Sequence, residues 1–593
     1  MGKQKKKSLH RRSDKQPIGY LAHGTAATLH SYEVGAVPIL QHFLKRMNLE
    51  AILKQHLPPD DPRTKIPIAK AVTVLVCNML VSREPIYGVG EWAARHAPDL
   101  WGLSARQVTA LNDDCLGRVL GRVFTVTGPA LVIAIVRYVI QEFELRLDEL
   151  HNDSTTVTFS GAYAGAAEEG KRDGRPTHAI TWGHNKDHRP DLKQLLYTLT
   201  VAEDGGVPIY FTSDSGNVTD DQTHCHTWEI LRQLVGRSDF LYVADCKLAS
   251  RENLDYLARR GGRFITILPK TRKEDAEFRR RQEQDPASVA WQPVYQVKVK
   301  FRVKGQEQER VVDELSVCSP EMSSAEGYRL LWYHSTRKVE LDAATRARRT
   351  QRALAELAEL ERRLAGPRTR FRQRGEVEKA VHEILEEFAV ERWVVIRIEA
   401  QEEARYRQAS RGRPSKETRY VKVVKPRYRL SWHVDTLALM AEQVTDGMFP
   451  LITNASTLNA EEILRAYKRQ PIIEKRFSQF KTDFQVAPVY LKDVARIQGL
   501  LCVYFLTLLV QTLIERELRR AMEREGLTSL PLYPEERACR RPTTSRVIEV
   551  FGPLQRHVLT LPNGREEVLA THLTPLQREI LRLLGIPTAV YTE

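Results

Sequence analysis

Cysteine is scarce and unpatterned: seven residues in 593, with no CxxC pair and no disulfide-like spacing. A disulfide-framed module is thereby excluded, and a reducing compartment is expected. Long apolar runs are also missing. The most hydrophobic stretch, Leu500 to Ile514, is about 15 residues long and is followed by Glu515 and Arg516. A membrane span needs roughly 20 residues, so this segment is expected as a buried core helix, with no membrane partner. The N-terminus is polar and basic and lacks the apolar stretch of a signal peptide. Acid is short relative to base, 75 Asp+Glu against 90 Lys+Arg, which leaves a net charge of +15. That excess favours a polyanionic partner, nucleic acid first; a basic enzyme with no nucleic-acid role is the plainer alternative.

What is present divides the chain by pattern. Residues 1–30 read as a basic flexible arm; the first 16 carry seven Lys/Arg and one Asp and are too polar to fold alone. Residues 31–147 repeat apolar positions at spacings of three and four, as in "AVPILQHFLKRMNLEAILKQHL", and predict an all-helical domain. From 148 to 270 the period changes. "LHNDSTTVTFSG" is rich in β-branched residues, and "QLLYTLTVAEDGGVPIYFTSD" reads as two strands around Asp204-Gly205-Gly206. A helix, a strand ending at Asp245, a helix opened by Ser250 and the strand "RFITIL" complete a mixed α/β unit. Residues 271–446 read as an insertion with strand-like pieces, "VYQVKVKFRVKG" and "YRLLWYHS" among them, and one long charged helix. Residues 447–520 return to a short strand, a helix capped by Asn459 and Glu462, and the apolar helix. Residues 521–593 are mixed.

Three acidic residues sit where chemistry is expected. Asp153 lies where the first strand of the α/β unit begins, Asp245 ends a central strand, and Glu474 lies on the helix "AYKRQPIIEKRFSQFK". Clustered carboxylates repel unless a cation sits between them. Hard oxygen ligands suit Mg²⁺ or Mn²⁺, and two such ions astride a phosphodiester stabilise both the attacking and the leaving oxygen. Tyr467, Gln470, Glu474 and Lys481 are offset by 0, 3, 7 and 14 residues and fall on one helix face. Pro471 lies inside that stretch and predicts a kink or a restart.

This ordered set resembles the DDE transposases of bacterial insertion sequences, in particular the group with a Tyr-x2-Arg-x3-Glu-x6-Lys signature. "LHNDSTTVTFSGAY", "GHNKDHRPDLKQLLY", "GVPIYFTSDSGNVTD", "ADCKLAS" and the helical start from "YEVGAVPILQHFL" to "LNDDCLGRVL" are similar to the same group, over most of residues 30–515. The signature's Arg position holds Gln470, with Arg469 one residue earlier. The resemblance implies an RNase H-like catalytic core, interrupted by a β-rich and helical insertion between the second Asp and the Glu. It implies a DNA-binding and dimerisation role for the helical N-terminal domain, and a homodimer acting on element ends and target DNA beside the bacterial nucleoid. Asp153, Asp245 and Glu474 are then catalytic and hold two Mg²⁺ ions, with Mn²⁺ able to substitute. Tyr467, Gln470, Arg469 and Lys481 contact DNA, and His188, Arg189 and Lys193 face phosphate. A metal-dependent nuclease without strand transfer, or a domesticated DNA-binding protein without catalysis, are the alternatives.

Other chemistry-bearing residues have plainer readings. His184 and His188 stand at i, i+4 but lack a third ligand for zinc. His224-Cys225-His226 reads as ordinary surface. Asp204 belongs to the hairpin turn, and Asp220 and Asp221 are expected to cap the next helix. Trp291 and Trp332 are expected in the inserted sheet. The alternating charge of Leu341–Ala365 is expected to face solvent.

Overall fold

The computed structural model describes residues 27–60, 64–303, 306–366, 369–486, 489, 491–561 and 563–592. The basic stretch 1–16 lies outside the described residues. The chain forms two compact units: one runs to Phe264 and resumes at Ala466, and the other is Ile265–Arg465.

The first unit begins with helices α1 (Val37–Arg46), α2 (Leu49–His56), α3 (Ile68–Val81), α4 (Asp113–Val126) and α5 (Pro129–Phe143). Their apolar stripes are buried, from Val37, Leu40 and Leu44 on α1 to Leu116, Leu120 and Val123 on α4. Asn112 caps α4 by accepting the Cys115 amide at 2.9 Å. The expected all-helical start holds, except that a short strand, Thr28–Glu33, pairs antiparallel with Gln555–Thr560. A tail with no clear sequence pattern therefore closes onto the N-terminal helices.

The α/β part follows. Strands β1 (Glu149–Phe159), β2 (Lys193–Ala202) and β3 (Pro208–Ser215) form an antiparallel meander. The reversal between β2 and β3 needs Gly205 and Gly206, at φ +76° and +65°, a region open to glycine at little cost. Helix α6 (His224–Val235) leads to β4 (Leu241–Ala244), which runs parallel to β1. Helix α7 (Arg251–Arg259), capped by Ser250, leads to β5 (Arg263–Ile267). The strand order is β3–β2–β1–β4–β5, a mixed sheet.

In the second unit, β6 (Trp291–Val303), β7 (Gln306–Ser323) and β8 (Arg329–Ser335) pair antiparallel. Trp332 is buried and stacks on Phe278 at 3.8 Å; Trp291 packs at the same cluster. Helix α8 (Thr336–Ala365) keeps most of its length exposed and buries Ala353, Leu357, Leu360 and Leu364. That stripe packs with Val377 and Val381 of α9 (Arg374–Phe388) and with Tyr428 and Leu430 of a two-stranded ribbon, β9 (Val394–Gln408) and β10 (Tyr420–Val434). Strand β11 (Met448–Thr453) pairs with β8.

Asn459 and Glu462 cap α10 (Ala460–Lys468) reciprocally, at 2.8 and 2.9 Å. The helix then restarts as α11 (Pro471–Ser478), because Pro471 suits only a first turn. Last comes α12 (Val494–Arg524), 31 residues long. It is apolar enough to cross a membrane by length and composition, yet its apolar window is wholly buried inside the protein. It meets α4 so closely that a Cβ at Gly499 would stand 2.2 Å from the Leu120 carbonyl oxygen.

One buried ion pair ties these parts together. Arg476 of α11 donates to the carbonyls of Gly205 and Gly206 at 2.6 and 2.9 Å, and to Glu515 of α12 at 3.1 Å. Both side chains are almost fully buried, 1% and 0% exposed. Burial pushes the Glu515 carboxyl up, but the Arg476, Arg519 and Lys475 cations outweigh it and hold the group below the usual range. Removing one partner of such a pair leaves an uncompensated buried charge. Arg476→Met is expected to lose about 3–5 kcal/mol, seen as a fall in Tm by circular dichroism, and the double change Arg476→Met with Glu515→Leu is expected to recover much of it. A single variant as stable as wild type would show that Lys475 and Arg519 suffice.

Candidate active site

The parallel ladder between β1 and β4 ends at the pair Asn152↔Ala244. The next residue on each side is a carboxylate, Asp153 and Asp245. The Asp153 side chain is 21% exposed, and its Oδ1 accepts the Ser154 amide at 2.7 Å. Asp245 accepts the Lys247 amide at 3.0 Å and so starts a 3₁₀ turn. Burial pushes the Asp153 carboxyl up to about 6; Lys186 pulls against it, and Asp245 and Asp220 add to the rise. Burial raises Asp245 as well. Two carboxyls raised by burial, side by side, form a site that favours a cation between them.

A cation is supplied by the chain. Lys186 Nζ lies 2.8 Å from Asp220 and 3.4 Å from Asp153. It also donates to the Ser154 carbonyl at 2.8 Å. Ser154 Oγ donates to Asp220 at 2.6 Å, closing the network. The loop that carries Lys186 is rigidly braced. Asn185, buried, donates to Gln194 at 2.9 Å and accepts the amides of Asp187 and Arg189 at 2.8 and 3.2 Å. Gly183 passes so close to Gly216 that a Cβ would stand 1.9 Å from its carbonyl oxygen.

The signature residues arrange themselves around this centre unevenly. Burial, and after it Asp245, Cys246 and Glu474, push the Tyr467 hydroxyl up to about 12. Glu474 itself is exposed on the first turn of α11. Gln470 precedes Pro471 at the helix break and makes no capping bond. Arg469 turns the other way and grips Glu149 at the base of β1, at 2.7 and 2.5 Å. Lys481 pairs with Asp187 at 2.5 Å. Arg189 pairs with Asp191 at 2.8 and 2.7 Å, His188 sits in the left-handed region at φ 56°, and Lys193 bonds the Ala162 carbonyl at 2.5 Å over the Trp182 ring.

Asp153 and Asp245 are hard oxygen donors suited by chemistry to a divalent cation. Among the described residues, however, no group of three or more His, Cys, Asp or Glu stands close enough to hold a metal ion. The restart at Pro471 breaks the single helix face on which the sequence offsets rested.

Two residues of the centre escape the sequence reading. Asp220 is expected as a helix cap, but its carboxylate turns instead to Ser154 and Lys186. Lys186 belongs to the loop already singled out for His188, Arg189 and Lys193; a lysine two residues before that trio is the only signal. His224, expected at the surface, is buried, with Nδ1 at 3.1 Å from the Tyr242 hydroxyl. Burial pulls its pKa down to about 4.

Residues 29–137 match a family model described as a domain of unknown function, DUF4277. No curated protein matches the chain.

The raised carboxyl at Asp153 has a consequence for stability. It titrates near 6 in the fold and near about 3.9 in an unfolded chain. Its ionisation therefore opposes folding above about pH 6, by at most about 3 kcal/mol, and the opposition disappears as pH falls towards about 4. Asp153→Asn is expected to raise Tm by a few degrees at pH 8, with the gain shrinking at pH 5, measured by differential scanning fluorimetry. An equal Tm at pH 8 would mean that Lys186 fully balances the charge.

Proposed function

We propose that the chain is a DNA transposase of the DDE type. It would bind the ends of an insertion sequence as a homodimer and carry out metal-dependent strand cleavage followed by strand transfer. The observation that carries this reading is the meeting of Asp153 and Asp245 where the β1–β4 ladder ends, in a basic chain whose Glu474 helix follows a separate compact unit. The strand order β3–β2–β1–β4–β5 supports an RNase H-like core.

In this reading Asp153, Asp245 and Glu474 hold two Mg²⁺ ions, or Mn²⁺ in their place. Bound there, the ions supply Lewis acidity to the phosphodiester and to the attacking water or 3′-OH. The protein's own part is to admit and orient the phosphate. Lys186 has to leave Asp153 and Asp220, since it now balances their charge. The Tyr467 hydroxyl keeps its proton at neutral pH and can donate it in a hydrogen bond to a phosphate oxygen. Lys481 has to exchange Asp187 for phosphate, as a point charge on a flexible stem can. Gln470 stands at the signature's Arg position, while Arg469 braces β1 through Glu149. His188, Arg189 and Lys193 lie on or beside the Lys186 loop and face phosphate in this reading. Cleavage would take place in the bacterial cytoplasm, at the nucleoid.

A DNA-binding protein without catalysis is the second reading. Lys186 against the carboxylates and the exposed Glu474 favour it. A nuclease that only hydrolyses is separated from the transposase by strand transfer and from the non-catalytic protein by cleavage. The test is to incubate purified protein with Mg²⁺ and DNA carrying the element's own ends, beside Asp245→Asn. Nicking at the ends with joined products, at least a hundredfold weaker in the variant, is expected. Nicking without joined products would leave the nuclease, and end binding without any cleavage by wild type would leave the non-catalytic reading.

A further inference from the structure

The β9–β10 ribbon has two halves of different character. Its pairing is unbroken over 15 residues per strand, about 50 Å at roughly 3.4 Å per residue. The inner half packs: Ile396, Ile398, Tyr428, Leu430 and Trp432 join the cluster under α8 and α9. Arg427 fastens this base, donating to the Leu364 and Gly366 carbonyls at the end of α8 at 3.3 and 2.6 Å. The outer half, the eight pairs from Gln401↔Arg427 to Gln408↔Tyr420, extends about 27 Å further. Most of its residues are exposed.

An isolated two-stranded ribbon is marginally stable in water, so a long bare one calls for a partner. Its composition says which. Residues 405–427 hold nine Lys/Arg and one acid, Glu417, more than half of the chain's net charge of +15. Cross-strand pairing puts Arg405, Arg407, Lys425 and Arg427 on one face, with the β-branched Val421 and Val423 among them. Tyr406 and Tyr420 stand on the other face, 68% and 54% exposed, flanking Lys422. Glu403 pairs with Arg405 and Arg427 at 2.9 and 2.6 Å. Among the described residues Arg407, Arg411, Arg413, Lys416, Lys422 and Lys425 make no ion pair.

We infer that the outer half of this ribbon is a duplex-DNA-binding arm whose cations follow the phosphate backbone. A two-stranded ribbon fits the major groove, and its free length approaches one helical turn of about 34 Å. The inference rests on the proposed DNA partner but not on catalysis, since a non-catalytic DNA-binding protein would use the arm equally.

The test is fluorescence anisotropy of a 40-base-pair duplex of arbitrary sequence, in EDTA so that no cleavage intervenes, across a salt series. The variants are R407Q/R411Q/R413Q/K416Q and a shortened ribbon in which an Asn-Gly turn joins Glu402 to Pro426. Both keep the packed base, and Tm reports folding; if one variant fails to fold, the other decides. Wild type is expected to bind with a steep salt dependence, and each variant to bind at least tenfold more weakly at 100 mM salt, with a slope lower by about 2–4. Unchanged affinity and slope in the folded variants would overturn the arm while leaving the DNA partner standing. Absence of duplex binding by wild type would overturn the partner beneath it. An equal loss for single-stranded DNA would overturn the duplex assignment.

Discussion

Two carboxylates at the end of a parallel ladder constrain everything around them. β1 and β4 pair through Asn152 and Ala244, so Asp153 and Asp245 have to face the same end of the sheet in a partly dry setting. Burial raises both carboxyls. The fold answers with Lys186, whose ammonium is shared between Asp153 and Asp220. The Lys186 loop in turn is held by Asn185, Gln194 and the Asp187–Lys481 pair. A chain of ion pairs thus runs from the sheet, through the loop, to the segment after α11. A cation that competes for Asp153 and Asp245 would act on all of it.

The second constraint is mechanical. α11 carries Glu474, and it is anchored by Arg476 to the β2–β3 turn and to α12. The helix therefore cannot drift from the sheet, although its Glu474 side chain stays exposed. Pro471 takes the first position of α11, after the break that ends α10. Tyr467, before the break, still senses Asp245 and Glu474 together. Asp153 and Asp245 meet where the β1–β4 ladder ends, and among the described residues no third acid joins them closely enough to hold a metal ion.

The ribbon is strongly basic in its outer half, as the chain is in residues 1–16. Its base is built like a core and its outer half like a surface. That division follows from which strand residues meet α8 and α9. Tyr428 and Leu430 find apolar partners, whereas Tyr406 and Tyr420, on the same strands and the same face, lie beyond the reach of the helices.

Much of the fold was legible because its signals are local. The Asp204-Gly205-Gly206 turn, the Ser250 and Asn459 caps, the break at Pro471 and a helix through the apolar run Leu500 to Ile514 are each decided within a few residues, and each appears there, the helix extending beyond the run at both ends. Asp245 was legible too, because a strand end is a local feature; Asp153, expected where its strand begins, lies inside Glu149–Phe159, at the point where only the ladder to β4 stops. What the sequence could not determine is which charge meets which. Arg469 pairs with Glu149 across 320 residues, and Ser154 meets Asp220 across 66. Asp220 looked like a helix cap, because a turn offers a local partner and only the sheet offers the distant one. His224 looked like surface because a polar triplet carries no periodicity, yet α6 buries it against Tyr242. Strand and helix positions follow from short-range sterics and hydrophobic period, and these are written in the chain. The pairing of buried charges depends on desolvation and distance after the chain has closed, and only the tertiary structure decides it.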